Sequence, residues 1–328
     1  MKRPQCVRGG KVVCINSILR CFPIRISKRI EDYFLSENIN LNLLEEIRIR
    51  ANRPIILKIG QEERKIENIV KQEEILETLQ HICDNSIYSY QSQICSGYIT
   101  MQGGHRVGIT GNVVMKDGKV ANMNYVSSLN FRIAKQVIGC STKLIPYVIK
   151  EDENSIYNTL IVSPPGVGKT TILRDLVRKL SNGIEQIRYK GINIGVVDER
   201  GEIAAMYRGV PQNDIGIRTD VLDNVSKALG LTMLIRSMAP KVIVADEIGN
   251  KDEVKPIMYA ICSGIKGIFT AHGSSIEDIK INPTLRELSE NGVFERIIFL
   301  SDTKEKGDIE KVYALNKIEK QYMLYTKN

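Results

Sequence analysis

Tryptophan is absent from this 328-residue chain, and Phe and Tyr raise the aromatic share only to 6%. Little is left with which to stack unpaired bases, so a single-strand nucleic-acid reader is disfavoured at the outset. The seven cysteines (Cys6, Cys14, Cys21, Cys83, Cys95, Cys140, Cys262) are odd in number and include no C-x-x-C pair. That argues against a disulfide framework or a zinc module and fits a reducing cytoplasm. No apolar run approaches the ~18–20 residues a membrane span needs. Met1 to Pro23 has basic and scattered apolar residues but no continuous hydrophobic block with a cleavage site, so no secretory signal is expected.

What is present is a chain long enough for two domains, 43% hydrophobic and 26% charged, as soluble proteins are. The net charge of +8 is uneven: residues 1–60 hold twelve Lys and Arg against five acids. Such a segment suits an anionic membrane surface, nucleic acid or an acidic partner, and equally an ordinary solvated face.

Ser163-Pro164-Pro165-Gly166-Val167-Gly168-Lys169-Thr170-Thr171 follows the apolar run Leu160-Ile161-Val162 and opens into a stretch of helical period, Ile172 to Leu180. Strand, glycine loop and helix in that order are the context of a phosphate-binding loop. Its amides and the helix N-terminus form a concavity for an anion. Lys169 is then expected on the β- and γ-phosphates of ATP and Thr170 on Mg²⁺. Ser163 stands where the usual pattern begins with Gly, which requires a negative φ there.

Before this loop, Ile24 to Leu44 reads as helical, Glu46 to Arg50 and Ile55 to Ile59 as strands around the turn Asn52-Arg53-Pro54, and Gln72 to Asn85 as a helix with Ile75, Leu76, Leu79 and Ile82 inward. Gly97 to Val114 reads as strands broken at Gly103-Gly104. The expected organisation is a basic N-terminal segment over 1–23, a small α+β domain over 24–140, a linker over 141–152 and the phosphate-loop domain over 153–328. His105 fits a hydrogen-bonded turn better than catalysis. Arg106 and Arg132 suit either edge salt bridges or contacts to phosphate.

After the loop, strand-length apolar runs end in polar residues: Ile192–Val197 at Asp198-Glu199-Arg200, Lys241–Ala245 at Asp246-Glu247, Gly267–Ala271 at His272, and Arg296–Leu300 at Ser301-Asp302. This predicts an α/β domain with a mostly parallel sheet and ligands at its carboxyl edge. Asp246 is expected to hold the metal and Glu247 to activate water. Asp198 and Glu199 either add carboxylates near the γ-phosphate or cap a helix over Gly201–Tyr207. His272 could sense the γ-phosphate by a hydrogen bond, or serve as a core or capping residue.

In this order the phosphate loop, the acidic strand end, Leu234-Ile235-Arg236-Ser237-Met238-Ala239-Pro240, Asp246-Glu247 and Thr270-Ala271-His272-Gly273 resemble the secretion-type hexameric ATPases of type II and type IV secretion and pilus assembly. Glu46–Arg50, Gly103–Gly108, Val196–Arg200 and Gly209–Asp223 narrow the resemblance to the stage III sporulation AA family of spore-forming Firmicutes. It runs from about residue 25 to 302. It implies a RecA-like P-loop ATPase domain behind a smaller α+β domain, assembled as a hexameric ring with nucleotide between subunits. It further implies a cytoplasmic protein, peripheral at the mother-cell side of the membrane, serving membrane proteins of a secretion-like complex. By matching positions it implies Glu247 as the Walker B acid, His272 as the histidine-box residue, and Arg106, Arg132, Arg218 and Arg236 as candidates for contacts to nucleotide in trans or between domains. Those ATPases usually have Gly where Asp246 stands and Glu-Asp where Asp198-Glu199 stands, so which carboxylate positions water is open. The expected function is ATP hydrolysis driving a membrane-bound assembly. The rivals are a RecA-like nucleic-acid-binding ATPase and an ATP-gated scaffold with little turnover.

Overall fold

The computed structural model describes residues 15–150, 153–301 and 307–325. The chain forms two compact units, 1–136 with 205–212 and 137–204 with 213–328.

In the first unit, α1 (Ile15–Leu19) and α2 (Ile24–Ser36) precede strands β1 (Leu44–Arg50), β2 (Pro54–Ile59) and β3 (Glu62–Ile69). Then come α3 (Gln72–Ile82), α4 (Gln91–Cys95), β4 (Tyr98–Thr100) and the long hairpin β5 (Arg106–Lys116) and β6 (Lys119–Arg132). The six strands pair antiparallel in the order β3-β2-β1-β6-β5-β4. In β1, Leu44, Ile47 and Ile49 are buried while Arg48 and Arg50 lie on the other face, the alternation of a sheet with one covered side. Ile26, Ile30 and Phe34 of α2 join Ile75, Leu79 and Ile82 of α3 in the same core.

Two elements differ from the sequence reading. The helix begun at Ile24 stops at Ser36, because Asn38 takes a left-handed φ of 48° and the chain re-enters as strand at Leu44. Leu76, expected inward, is 43% exposed; α3 buries the stripe of Ile75, Thr78, Leu79 and Ile82 instead. Ile18, Leu19, Cys21 and Phe22 are also buried in this core, so the compact unit takes in residues ahead of the expected boundary at 24. Arg25 turns back onto the Glu74 carboxylate, Nε to Oε1 at 2.6 Å, and its Nη1 reaches Asn68 Oδ1 at 2.8 Å. Lys58 and Arg48 pair with Glu45 and Glu46. Part of the basic excess is thus balanced within the unit. Lys2, Arg3, Arg8 and Lys11 fall outside the described residues.

The second unit opens with α5 (Ile145–Val148), β7 (Thr159–Ser163), α6 (Lys169–Asn182) and β8 (Ile194–Asp198). The chain then contributes 205–212, with the small ribbon β9 (Met206–Tyr207) and β10 (Val210–Pro211), to the first unit. There the Gly103 amide donates to Gln212 Oε1 at 2.8 Å. Gly104, at φ 80°, passes so near that a Cβ on it would meet Ala205 Cβ at 3.2 Å and Gln212 Cβ at 3.3 Å; that approach and φ need glycine at 104. The second unit resumes with β11 (Thr219–Asp223), α7 (Lys227–Ser237), β12 (Val242–Ala245), α8 (Val254–Cys262), β13 (Lys266–His272), α9 (Ile276–Ile281), α10 (Pro283–Glu290), β14 (Arg296–Ser301), β15 (Asp308–Asn316) and β16 (Gln321–Leu324).

Its sheet runs β11-β8-β12-β13-β7-β14-β15-β16. The first six strands are mutually parallel and the last two antiparallel. Strands β7, β8 and β12 are buried at every residue, as parallel strands covered on both faces must be. Leu160, Val162, Ile243 and Phe269 share a core with Leu231 and Leu234 of α7, Ile257 of α8 and Leu288 of α10. Helix α6 buries Ile172, Leu173, Leu176, Val177 and Leu180, one stripe at helical spacing, and packs on β7, β11 and β13. Because β13 lies between β7 and β12, the tip of β13 separates the phosphate loop from the Asp246-Glu247 tip.

Candidate functional site

At the carboxyl edge of this sheet, β7 ends at Ser163 and the loop to Gly168 turns into α6. Gly166 and Gly168 have φ of 79° and 103°, and a Cβ on either would meet nothing within 4 Å. The hollow in front of the loop is therefore open, and its backbone geometry is one that glycine adopts without strain. Ser163 lies within β7 and is not among the positive-φ residues, which meets the condition the sequence set for it. Lys169 is buried at 6% exposure, with Nζ donating to Ser163 O at 2.9 Å, Ser163 Oγ at 3.2 Å and Pro164 O at 3.3 Å. Burial holds its ammonium below the ordinary lysine range, against the pull of Asp246 and Glu247.

Thr170 Oγ1 donates to Asp246 Oδ2 at 2.5 Å, and Thr270 of β13 donates to the other oxygen, Oδ1. The Asp246 carboxyl is pushed up chiefly by burial; the two threonine hydroxyls oppose that, and the nearby charges of Glu247 and Glu202 add to it. A cation placed here would relieve both effects. Thr170 and Asp246 fit a Mg²⁺ ion that keeps its own waters and takes phosphate oxygens as further ligands. An all-protein cage is a different arrangement, and no group of three or more His, Cys, Asp or Glu is so placed among the described residues.

Glu247 adopts a left-handed φ of 52°, costly for a non-glycine residue and of the kind that gathers at functional sites. Its amide donates to Thr270 Oγ1 at 2.8 Å. Its Oε1 lies 3.0 Å from His272 Nε2, and its Oε2 accepts from Arg200 Nη1 at 2.5 Å. Lys169 Nζ meets His272 Nδ1 at 3.1 Å. An ammonium can only donate, so Nδ1 accepts, and the neutral ring then carries its proton on Nε2 and donates to Glu247. The tip of β13 thus links the loop lysine to the strand-tip carboxylate.

Asp198 does something else. It is 2% exposed and accepts from the amides of Glu202, Ile203 and Ala204. Its capping chemistry is the one expected, but no helix follows: Gly201–Ala205 is a turn leading into β9. Arg174 of α6 fixes the same turn from the other side, with Nε to Ile203 O at 2.9 Å and Nη2 to Glu202 O at 2.6 Å. Glu199 Oε2 pairs with Lys227 Nζ at 3.2 Å, and Lys227 also reaches Glu253 Oε1 at 3.1 Å and Glu247 O at 2.9 Å. A hollow of about 20 Å³ lies among Glu199, Arg200, Glu202, Asp246 and Glu247, room for about one water molecule.

The structure gathers Ser163–Thr171, Asp246, Glu247 and His272 in one place, with Glu199 beside them. Arg236 is not brought there: it is exposed in the last turn of α7, shortly before the amino end of β12. A helix returning between parallel strands must run back toward their amino edge. Arg218 also lies at an amino end, its Nη1 donating to Ser181 O at 2.9 Å. Arg106 and Arg132 are cross-strand neighbours in the first unit, Arg106 stacked on Tyr98 at 4.0 Å. His105 is buried, and its Nδ1 accepts from the Ala134 amide at 3.0 Å, a turn residue. Thr270, Lys227 and Arg174 went unassigned from the sequence. Thr270 alone had a signal, its place two residues before the strand-tip histidine.

The profile of sporulation stage III, protein AA matches residues 17–319. The chain belongs to that family. It is 40% identical over 270 residues to stage III sporulation protein AA of Bacillus subtilis (strain 168), covering 82% of this chain and 86% of that one. It is also 31% identical over 182 residues to the protein ycf45 of Cyanidium caldarium, covering 55% and 50% of the two chains. Among solved structures it resembles the Legionella pneumophila ATPase DotB with a TM-score of 0.59 at 13% identity, over 91% of this chain and 82% of that one. The pilus retraction motor PilT with bound ADP gives 0.54 at 15%, over 90% and 82%. The sequence expectation of a secretion-ATPase fold behind a smaller N-terminal domain holds in this family member. No helix among the described residues is long and apolar enough to cross a membrane.

Proposed function

We propose that this chain is a Mg²⁺-dependent ATP hydrolase that works as a ring of six subunits, as its likeness in fold to secretion ATPases supports, on a membrane-bound secretion-like complex between mother cell and forespore. The observation that supports it most is the convergence of Thr170 on Asp246 at 2.5 Å and of Lys169, His272 and Glu247 in one hydrogen-bonded chain. Bound Mg–ATP supplies the electrophilic phosphorus and the metal charge. The loop amides of 166–169 and Lys169 hold the phosphate oxygens, while Thr170 and Asp246 hold the metal or its waters. Glu247 orients water, with Glu199 as a second carboxylate at the same hollow. Asp198 acts through the backbone of 202–204, holding the loop in shape. Arg236, exposed on the amino edge, is left for a contact outside its own subunit.

The test is ATP turnover by the purified chain with Mg²⁺ as its concentration is raised through assembly. The expected result is a specific rate that climbs with assembly and vanishes in Lys169→Ala. A rate per subunit that stays constant at every concentration would sink the ring. Tight ATP binding with no turnover under any condition would leave the nucleotide-gated scaffold in its place.

A further inference from the structure

The carboxylate that has to hold water is doubly restrained. His272 donates to Oε1 of Glu247, and Arg200 donates to Oε2 at 2.5 Å. Arg200 is carried by the turn that Asp198 and Arg174 fix through the backbone of residues 202–204, so the base of its loop is anchored. Its own side chain is 64% exposed, against 26% for Glu247. An exposed cation on an anchored turn, bound to one oxygen of a carboxylate whose backbone is left-handed, has the form of a latch. A carboxylate oxygen that already accepts a charge-assisted hydrogen bond from Arg200 has less capacity left to orient a water.

From this geometry we infer that Arg200 is a positioning residue that holds Glu247 in reserve and must release it before Glu247 can hold a water against a terminal phosphate. The inference rests on the ATPase reading above and adds a selectivity to it. Only a nucleoside triphosphate presents a terminal phosphate and its attacking water to Glu247. A diphosphate asks nothing of that carboxylate and leaves the Arg200 contact intact. By linkage, an ion pair that must open on binding weakens that binding by the pair's own strength. An exposed pair of this kind is worth a factor of about two to five in an equilibrium constant.

The experiment measures equilibrium binding of a non-hydrolysable ATP analogue and of ADP, both with Mg²⁺, to the full chain by calorimetry, alongside single-turnover hydrolysis. Arg200→Ala should bind the triphosphate about two- to five-fold tighter with ADP affinity unchanged. It should raise the hydrolytic step by a similar factor. Arg200→Lys, which keeps the charge but not the planar fork, should fall between. In a Glu247→Gln background the Arg200→Ala change should no longer alter the triphosphate-to-diphosphate ratio, because no carboxylate is left to latch.

An unchanged ratio in Arg200→Ala overturns the latch while leaving the ATPase reading intact. So does a selective loss of triphosphate affinity, which would place Arg200 on the phosphate itself. Equal weakening of both nucleotides with a lowered melting temperature would make the residue merely structural. Wild-type protein that binds neither nucleotide overturns both readings at once.

Discussion

Strands β8 and β12 lie side by side, parallel and in register, with Val197 opposite Ala245. Each is an apolar run that ends in Asp followed by Glu. Asp198 and Asp246 nonetheless face different work. Asp198 is almost fully buried and accepts from the amides of Glu202, Ile203 and Ala204. Among the described residues, Asp246 accepts from two side-chain hydroxyls, those of Thr170 and Thr270. One carboxylate is satisfied by backbone that a fold cannot move, the other by rotatable groups that a metal can displace. At these two strand tips, the type of hydrogen-bond partner separates a brace from a candidate metal ligand.

The sharpest way to break this contrast is at the residues just beyond the two acids. Glu247→Gln should lower kcat about 10²–10⁴-fold while triphosphate binding persists, and Glu199→Gln should lower it by far less. Equal losses would mean that Glu199 carries as much of the water-orienting role as Glu247, despite its pairing with Lys227 at 3.2 Å. Asp246→Asn comes next, with Mg²⁺-dependent turnover reduced about 10²-fold. Its nucleotide-free melting temperature should equal or exceed that of the wild type at neutral pH. The sign follows from the raised folded pKa of Asp246: ionising it costs the fold, so stability is lost as pH rises through that window, and an amide removes the cost.

Asp198→Ala should behave oppositely, losing about 2–4 kcal/mol of stability because three backbone donors lose a buried acceptor. Urea unfolding of the two variants measures both. A smaller pH effect separates brace from ligand elsewhere in the second unit. Asp175, 1% exposed, accepts from the Ser141 hydroxyl at 2.6 Å, from the amides of Gly139 and Ser141, and from Arg178. Those partners hold its carboxyl below the usual range although burial opposes them. The stability it contributes is present above the ordinary carboxylate pKa and is lost as pH falls through the depressed one. Asp175→Asn should flatten that acid limb, read as melting temperature against pH.

Much of the site was legible because parallel strands in an open sheet deliver their tips to one edge. Apolar runs ending in Asp-Glu, Asp-Glu and His therefore declared both strands and site together, and the glycines of 166 and 168 declared the loop. What the tips do was less legible. The amides that occupy Asp198 belong to a turn with no periodicity, read from the sequence as a helix over Gly201–Tyr207. Arg236 stood in a run that resembled the secretion ATPases, but helix direction, which motif order does not encode, takes it to the amino edge. The route of 205–212 into the first unit is likewise a non-local fact. It depends on an approach at Gly104 so close that an added Cβ would sit 3.2 Å from Ala205 Cβ, and no local pattern records that. Arg200 was visible as a letter beside Asp198-Glu199, but its contact with Glu247 spans 47 residues.

Lys169, Thr170, Asp246 and Glu247 are proposed to form one triphosphate-cleaving site. Single-turnover ATP hydrolysis with Mg²⁺, comparing wild type and Glu247→Gln after each is shown to bind the triphosphate, tests it most directly. The expected result is cleavage by the wild type and bound, uncleaved ATP on the variant. Cleavage by Glu247→Gln at the wild-type rate would contradict it.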